Sequence, residues 1–517
     1  MRLTFIGHAG VLIETEHGSI LCDPWFNSAF FASWFPFPHN EDLDLEAIGK
    51  ADYLYVSHLH HDHFDPQFLR DHMRKDAVVL LPDYPMSHLE HELAALGFHR
   101  FVRTRNCEPV DLGGLRIMIL ALVAPTDGPI GDSGLAVDDG RTQIFNQNDS
   151  RPVDLEPLTA FGHFDGHLLQ FSGAIWYPMV YDFPQRMKQN LGRRKRQNGM
   201  ARACRYVEEV GASYVFPCAG PPCFLDPPLY HLNDMGNDPA NIFPDQMVFL
   251  DYLRERGMDN GRLLIPGTVA TLEDGRCEIS HPIADSAVQA IFTDKKHYLD
   301  EYQARKLPEI ARSRAAWERH KVDDLVGALK EWWEPLLAQA DWTCAGVNGR
   351  VLLEAGKTQI VIDFLDRRVD AWKGEQCRYR FRIDRGLVEA CTATRLDDWV
   401  NELFLSCRFE ASRDGQFNEY IYNFFKTLSP ERLQYAEGWY AEQESEEEMI
   451  ALDGYLVQRR CPHLKADLSR FGQVDDGVLT CTMHGWEFDL ASGRCLTSDD
   501  RRIHAVPCSD PPPAPAP

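Results

Sequence analysis

Two groups of potential ligands set the chemistry open to this chain. Cys461-Pro462-His463 is followed, after seventeen residues, by Cys481-Thr482-Met483-His484. Two thiolates on one iron and two imidazoles on the other can hold a [2Fe-2S] cluster, and imidazole in place of thiolate raises its reduction potential. Such a centre moves single electrons. The second group is His58-Leu59-His60-His61-Asp62-His63, at the exit of an apolar strand expected over 53–57. His58, His60, Asp62 and His63 then stand at a sheet edge, where one metal or a pair could be held.

The first pattern resembles the ligand loops of Rieske [2Fe-2S] domains: Leu464 follows the first histidine, and Gly485-Trp486 follows the second after the β-rich run 477–481. Zinc modules built from two Cys and two His usually space their pairs differently. Quinone-oxidising Rieske proteins join the two loops by a disulfide, and the matching positions here are Ala466 and Met483. The resemblance therefore implies the lower-potential type that accepts electrons from a ferredoxin or an NAD(P)H-dependent reductase.

The 517 residues exceed what one core organises, so about three domains are expected. A net charge of −25 repels a phosphate backbone and argues against nucleic acid as a partner. The longest apolar run, 117–125, falls far short of a bilayer span, and the opening 1–10 enters a β pattern with no cleavable leader, so no membrane partner and a cytoplasmic location are expected. Fourteen scattered cysteines fit reduced thiols in a reducing compartment, with Cys495 and Cys508 unpaired.

Residues 1–285 alternate short strands with amphipathic stretches (66–74, 85–96) and read as mixed α/β with two sheets. An α+β accessory domain is expected over 286–430, with helices across 297–334, strands across 351–371 and 378–383, and a helix over 396–405. A small all-β domain follows at 431–510, and the Pro-rich tail 511–517 should be disordered. The basic run Arg193-Arg194-Lys195-Arg196 reads as a solvated helix face, Trp332-Trp333 and 420–425 as helix core, and His88 with His91 as surface.

The His58–His63 pattern is the HxHxDH signature of metallo-β-lactamase-fold proteins, which implies an αββα sandwich for residues 1–285. The opening 5–14, with Ile20-Leu21-Cys22-Asp23-Pro24-Trp25, resembles the first hairpin of the lactonase-like branch and implies Asp23 as a partner behind the ligands. Stretches at 51–60, 143–149, 176–179, 216–220, 237–239 and 399–425 together resemble the hydroxylase of CMP-bound N-acetylneuraminic acid, an iron monooxygenase combining this fold with a Rieske centre. There the Rieske domain comes first; here it comes last.

That resemblance implies Asp149 as the bridging or fourth-motif carboxylate. It also places Asp127 and Asp226 where later histidines of the usual ligand set would stand, and His163, His167 and His231 are rival ligands. Oxygen-rich donors suit iron better than zinc. No histidine occurs between His320 and His463, so a two-histidine iron site in the accessory region is excluded and the second metal falls in the N-terminal domain. The expected protein is a Rieske-dependent non-haem iron monooxygenase. Electrons enter at Cys461, His463, Cys481 and His484, and one or two irons at His58, His60, Asp62 and His63 turn O₂ on a small organic substrate. The alternatives are a metal-dependent hydrolase with a fused redox module and an O₂-reducing electron-transfer protein.

Overall fold

The computed structural model describes residues 1–122, 131–233, 240–442, 448–463, 465–483, 485–498 and 501–508. Two compact units emerge. One comprises Met1–Val123, Pro129–Arg319 and Asn401–Arg408; the other is built on His320–Val400 and Phe409–Pro517.

In the first unit an eight-stranded sheet runs Arg276–Ser280, Val269–Glu273, Arg2–Gly7, Gly10–Thr15, Gly18–Cys22, Tyr53–Tyr55, Val78–Leu81, Phe101–Arg103. A six-stranded sheet runs Tyr214–Cys218, Gly166–Gln170, Gln143–Asn148, Asp132–Asp138, Arg116–Leu122, Val110–Asp111. Alternating side chains of both sheets, among them Phe5, Val11, Ile20, Tyr55, Ile117, Leu135, Ile144 and Phe216, meet in one buried core. A second core lies on the other face of the larger sheet, where Phe68, Leu69, Leu89 and Leu93 cover Leu54, Val56 and Val79. The helices Gln185–Val210 and Gln246–Arg254 pack on Gly166–Gln170 and Tyr214–Cys218 of the smaller sheet. This helix–sheet–sheet–helix layering is the metallo-β-lactamase sandwich expected from the sequence.

Parallel pairing matters most for chemistry. Cys22 pairs with Tyr55, so the strands Gly18–Cys22 and Tyr53–Tyr55 end together and release Asp23 and Ser57-His58 side by side. The third loop, Gly7–Gly10, is a bulged turn pinned to the second sheet by the Ala219 N–H donating to the His8 carbonyl at 2.7 Å. The fourth is the turn after Gln143–Asn148.

The second unit holds a five-stranded sheet, Arg368–Ala371, Thr358–Asp363, Arg350–Ala355, Tyr379–Ile383, Phe409–Arg413, with Leu325–Leu337 against Arg368–Ala371. Two small sheets follow: Met449–Leu452, Tyr455–Gln458, Ala505–Pro507, and Gly472–Asp475, Val478–Cys481, Trp486–Asp489, Arg494–Cys495. They form the small all-β domain expected at the C-terminal end.

The helix expected over 396–405 is replaced by a single π turn, Val400–Phe404. Tertiary hydrogen bonds claim the backbone before it: the Trp399 N–H donates to the Phe425 carbonyl at 2.8 Å, and the Leu428 N–H donates to the Asp397 carbonyl at 2.9 Å. Arg432 meanwhile pairs with Asp397 at 2.9 Å and Asp398 at 3.3 Å. Trp332 and Trp333 are core residues, as expected. Among the described residues no helix is long and apolar enough to cross a membrane.

Candidate metal centre and cluster loops

Four loops converge at one edge of the sandwich. They bring together two groups of three ligands each: His8, Asp62 and His63, all buried, and His58, His60 and Asp149. Within each group the ligand atoms lie within 4.8 Å of one another. His8 Nε2 stands 2.9 Å from Asp62 Oδ2, and His58 Nε2 stands 2.6 Å from His60 Nδ1. The groups touch where His63 Nε2 lies 3.5 Å from Asp149 Oδ2 and 3.8 Å from Asp62 Oδ2.

Behind the ligands, Asp23 is fully buried. Its Oδ1 accepts from the Ser57 N–H at 2.7 Å, and its Oδ2 lies 3.0 Å from His63 Nδ1. The Ser57 hydroxyl sits 2.9 Å from His58 Nδ1 and 3.2 Å from His63 Nδ1. Each inner nitrogen is thus engaged by the protein, which turns the other ring nitrogen toward the centre.

The residues present fit a metal. His8 Nδ1, His60 Nε2, Asp62 Oδ1, His63 Nε2 and Asp149 Oδ1 are buried and make no hydrogen bond, an arrangement unfavourable for polar atoms unless another partner satisfies them. Burial, with His63 and His60 close by, pushes His58 well below its ordinary value, and burial also lowers His60, leaving both as neutral donors. Burial opposes charge on His63, yet Asp149, Asp62 and Asp23 outweigh it and hold the ring protonated. Asp149 and Asp62 are kept ionised against burial chiefly by His63. A divalent cation would take over the neutralising task of that proton.

Sequence reasoning missed His8, which only a Gly-His-Ala-Gly turn advertised, and the segment Asn401–Arg408. From that segment Glu402 reaches His61 at 3.3 Å, while Phe30 stacks on His61 at 6.2 Å between centroids.

Asp226 does not join either group. It is 2% exposed, and its Oδ2 accepts from Arg314 Nη2 at 2.8 Å and from Arg408 Nη1, so two guanidiniums already satisfy the carboxylate. His167 is fully buried with its Nε2 2.9 Å from Gln147 Oε1, and burial pushes it down to about 3. His163 contacts the Ser213 hydroxyl at 3.1 Å, and His231 is exposed. Asp127 lies outside the described residues, as does His484.

In the second unit, Cys461 and Cys481 are 1% and 0% exposed. Each opens a turn closed four residues later, by the Lys465 N–H to Cys461 O at 2.9 Å and the Gly485 N–H to Cys481 O at 2.8 Å. Lys465 and Gly485 both take left-handed φ, +57° and +74°, so the two loops repeat one geometry. His463 stacks on Trp486 at 4.1 Å, and its Nε2 lies 3.4 Å from Glu419 Oε2, a buried carboxylate also paired with Arg501. Two buried thiols and an imidazole on matched loops fit a [2Fe-2S] cluster. Among the described residues no disulfide joins any of the fourteen cysteines, and the two disulfide positions of quinone-type domains are the buried Ala466 and Met483.

Comparison with known proteins agrees with this layout. Residues 2–117 match the β-lactamase superfamily domain, 325–442 the Rv3818-like, SCP2-like domain, and 444–507 the Rieske [2Fe-2S] domain. The Rieske 2Fe-2S iron-sulfur protein Rv3818 of Mycobacterium tuberculosis (strain ATCC 25618 / H37Rv) is 52% identical over 513 residues, 98% of this chain and 99% of that protein. The chain belongs to this family of Rieske 2Fe-2S iron-sulfur proteins.

The resemblance to CMP-N-acetylneuraminic acid hydroxylase is narrower than the shared motifs implied. The hydroxylase of Asterias rubens is 33% identical over 66 residues, 13% of this chain and 10% of that enzyme. Among solved structures, a metallo hydrolase of Ignicoccus hospitalis (17% identity, 53% of this chain and 98% of that one, TM-score 0.35) is similar to the chain. So is the diiron β-hydroxylase CmlA of Streptomyces venezuelae (19% identity, 53% and 54%, TM-score 0.34).

Proposed function

We propose that this Rieske iron-sulfur protein is a non-haem iron oxygenase. Residues 1–285 would carry the catalytic metal and residues 431–510 the electron carrier, with the α+β stretch 286–430 between them. One observation carries the reading. Each ligand group is two histidines and one carboxylate, His8, His63 and Asp62 beside His58, His60 and Asp149. That donor set with open positions is characteristic of iron(II) sites that handle dioxygen. Iron bound there would supply O₂ chemistry, and a cluster at Cys461, His463, Cys481 and His484 would supply electrons one at a time.

The chain's own residues prepare that task. Burial keeps His58 and His60 neutral and ready to ligate. Asp23 fixes the His63 ring, and Asp149 lies next to both groups as the candidate bridge. Trp25, 5.0 Å from His8 and fully buried, and Phe30, beside His60 and His61, exclude water from one side. The substrate is a small organic molecule hydroxylated or N-oxygenated with O₂, and the electron donor is a ferredoxin or an NAD(P)H-dependent reductase.

The test is metal analysis of aerobically purified protein, followed by anaerobic reduction with electron paramagnetic resonance and then O₂ uptake. Iron in the sandwich, a Rieske signal and O₂ consumption on reduction are expected. Zinc in the sandwich without O₂ consumption would overturn the proposal in favour of hydrolysis.

A further inference from the structure

Three consecutive residues, Phe30, Phe31 and Ala32, take left-handed φ of +51°, +57° and +51°. Residues with a side chain visit that region singly, because Cβ crowds the following carbonyl, so a run of three is unfavourable unless its surroundings hold it. The base of the turn is closed by the Ser33 and Trp34 N–H groups, which donate to the Ala29 carbonyl at 3.1 and 3.3 Å. Its tip needs a separate hold.

Arg408 supplies it. Its Nε donates to the Phe31 carbonyl at 3.2 Å and its Nη2 to the Ala32 carbonyl at 3.1 Å, while Nη1 donates to Asp226. The planar fork of one guanidinium thus ties two successive carbonyls of the turn to a buried carboxylate, which the single ammonium of a lysine cannot do. Trp317 lies 5.3 Å from the guanidinium and 5.7 Å from the Phe31 ring. Two residues before Arg408, the Ser406 carbonyl accepts from the Ser33 hydroxyl at 2.7 Å.

The turn faces the metal ligands. Phe30 is 1% exposed, and its ring centroid stands 6.4 Å from that of His60 and 6.2 Å from that of His61, on which it stacks. His60 Nε2 is one of the buried atoms left without a hydrogen bond. Glu402, at the other end of the segment that carries Arg408, lies 3.3 Å from His61 Nδ1. Asn401–Arg408 therefore grips the ligand loop at one end and, at the other, the turn that packs on it.

We propose that Arg408 is a positioning residue: by holding the left-handed turn Phe30–Ala32 it keeps the Phe30 ring against His60 and His61 and so closes that side of the metal centre. Asp226, which binds no metal, serves the centre at one remove as the anchor of Arg408. That the closed side serves oxygen chemistry rests on the oxygenase reading; that Arg408 positions Phe30 does not.

Two rates are measured on the full-length holoprotein: backbone-amide hydrogen exchange by mass spectrometry, and release of the sandwich metal into excess EDTA. Wild type is compared with Arg408→Met, Arg408→Lys, Phe30→Ala and the double variant Phe30→Ala with Arg408→Met. In both Arg408 variants the amides of 30–34 should exchange about tenfold faster or more, since losing a charge-assisted hydrogen bond is worth at least that factor. Those of the core strand Gly18–Cys22 should exchange as in wild type, which a general loss of stability would not allow. Each single variant should release metal about tenfold faster, the scale on which supports of a metal ligand act. The double variant should release it no faster than Phe30→Ala, whereas independent effects would multiply to about a hundredfold. An unchanged cluster spectrum and metal content at saturation establish that each variant is folded; should Arg408→Met fail this check, Arg408→Lys takes its place. The assignment is overturned if the turn of a folded Arg408 variant exchanges as in wild type, or if the two substitutions multiply; exchange decides alone if the sandwich holds no metal. Neither rate involves O₂ uptake, so this proposal and the oxygenase proposal fail separately.

Discussion

Asp23→Asn tests whether the fully buried Asp23 tunes the metal centre. The native residue has φ +40°, in the left-handed region that asparagine tolerates, so the exchange preserves backbone and shape and removes only charge. Asp23 receives the Ser57 N–H on one oxygen at 2.7 Å and faces His63 Nδ1 with the other at 3.0 Å. An asparagine has one oxygen, so its NH₂ group must confront one of these two donors. Loss of a charge-assisted hydrogen bond at a buried site is worth roughly 1.5–3 kcal/mol. This corresponds to roughly 10- to 150-fold in metal affinity, in line with losses of about 10- to 100-fold when partners behind a metal ligand are removed. The assay is chelator competition for the metal at His8, Asp62 and His63, with thermal unfolding to establish the fold. Affinity within about twofold of wild type in a folded variant would refute the idea that Asp23 orients His63 for ligation.

Three further outcomes are expected. His8→Ala should lower the metal bound in the sandwich, counted apart from the two irons of the cluster, from two ions to one and leave the Rieske signal intact, because His8 serves only one of the two groups; an unchanged metal count would remove His8 from the ligand set. Asp226→Asn should keep metal content unchanged while urea unfolding shows a loss of about 3 kcal/mol, because a buried Arg408 is left uncompensated. Loss of metal in a folded Asp226→Asn protein would restore Asp226 as a ligand. Glu419→Gln removes a buried negative charge 3.4 Å from His463 Nε2 and should raise the cluster's reduction potential by on the order of 60 mV, a tenfold change for a one-electron couple. A potential equal to that of wild type would show that Glu419 does not act on the cluster.

Ligands adjacent in the chain were legible without a structure. His58, His60, Asp62 and His63 follow one strand, and each Cys–His pair sits within one turn, so spacing alone reports a shared site. The two sheets could likewise be read from short apolar runs between turn signals. An acidic residue after a strand reads the same whether it faces a metal or an arginine, which is why Asp226 was assigned to the metal and is instead bound by Arg314 and Arg408. The run at 396–405 has helical spacing, but hydrogen bonds and ion pairs reaching Phe425, Leu428 and Arg432 decide its backbone.

The sequence by itself determined the donor types, the fold of the first unit and the one-electron centre, because these depend on neighbours a few residues apart. Only the tertiary structure decided that His8 joins Asp62, that Asp149 stands beside His63, and that Glu402 reaches His61. Those contacts join positions from about fifty to more than three hundred residues apart, and strand pairing and chain packing, which no local spacing encodes, bring them together.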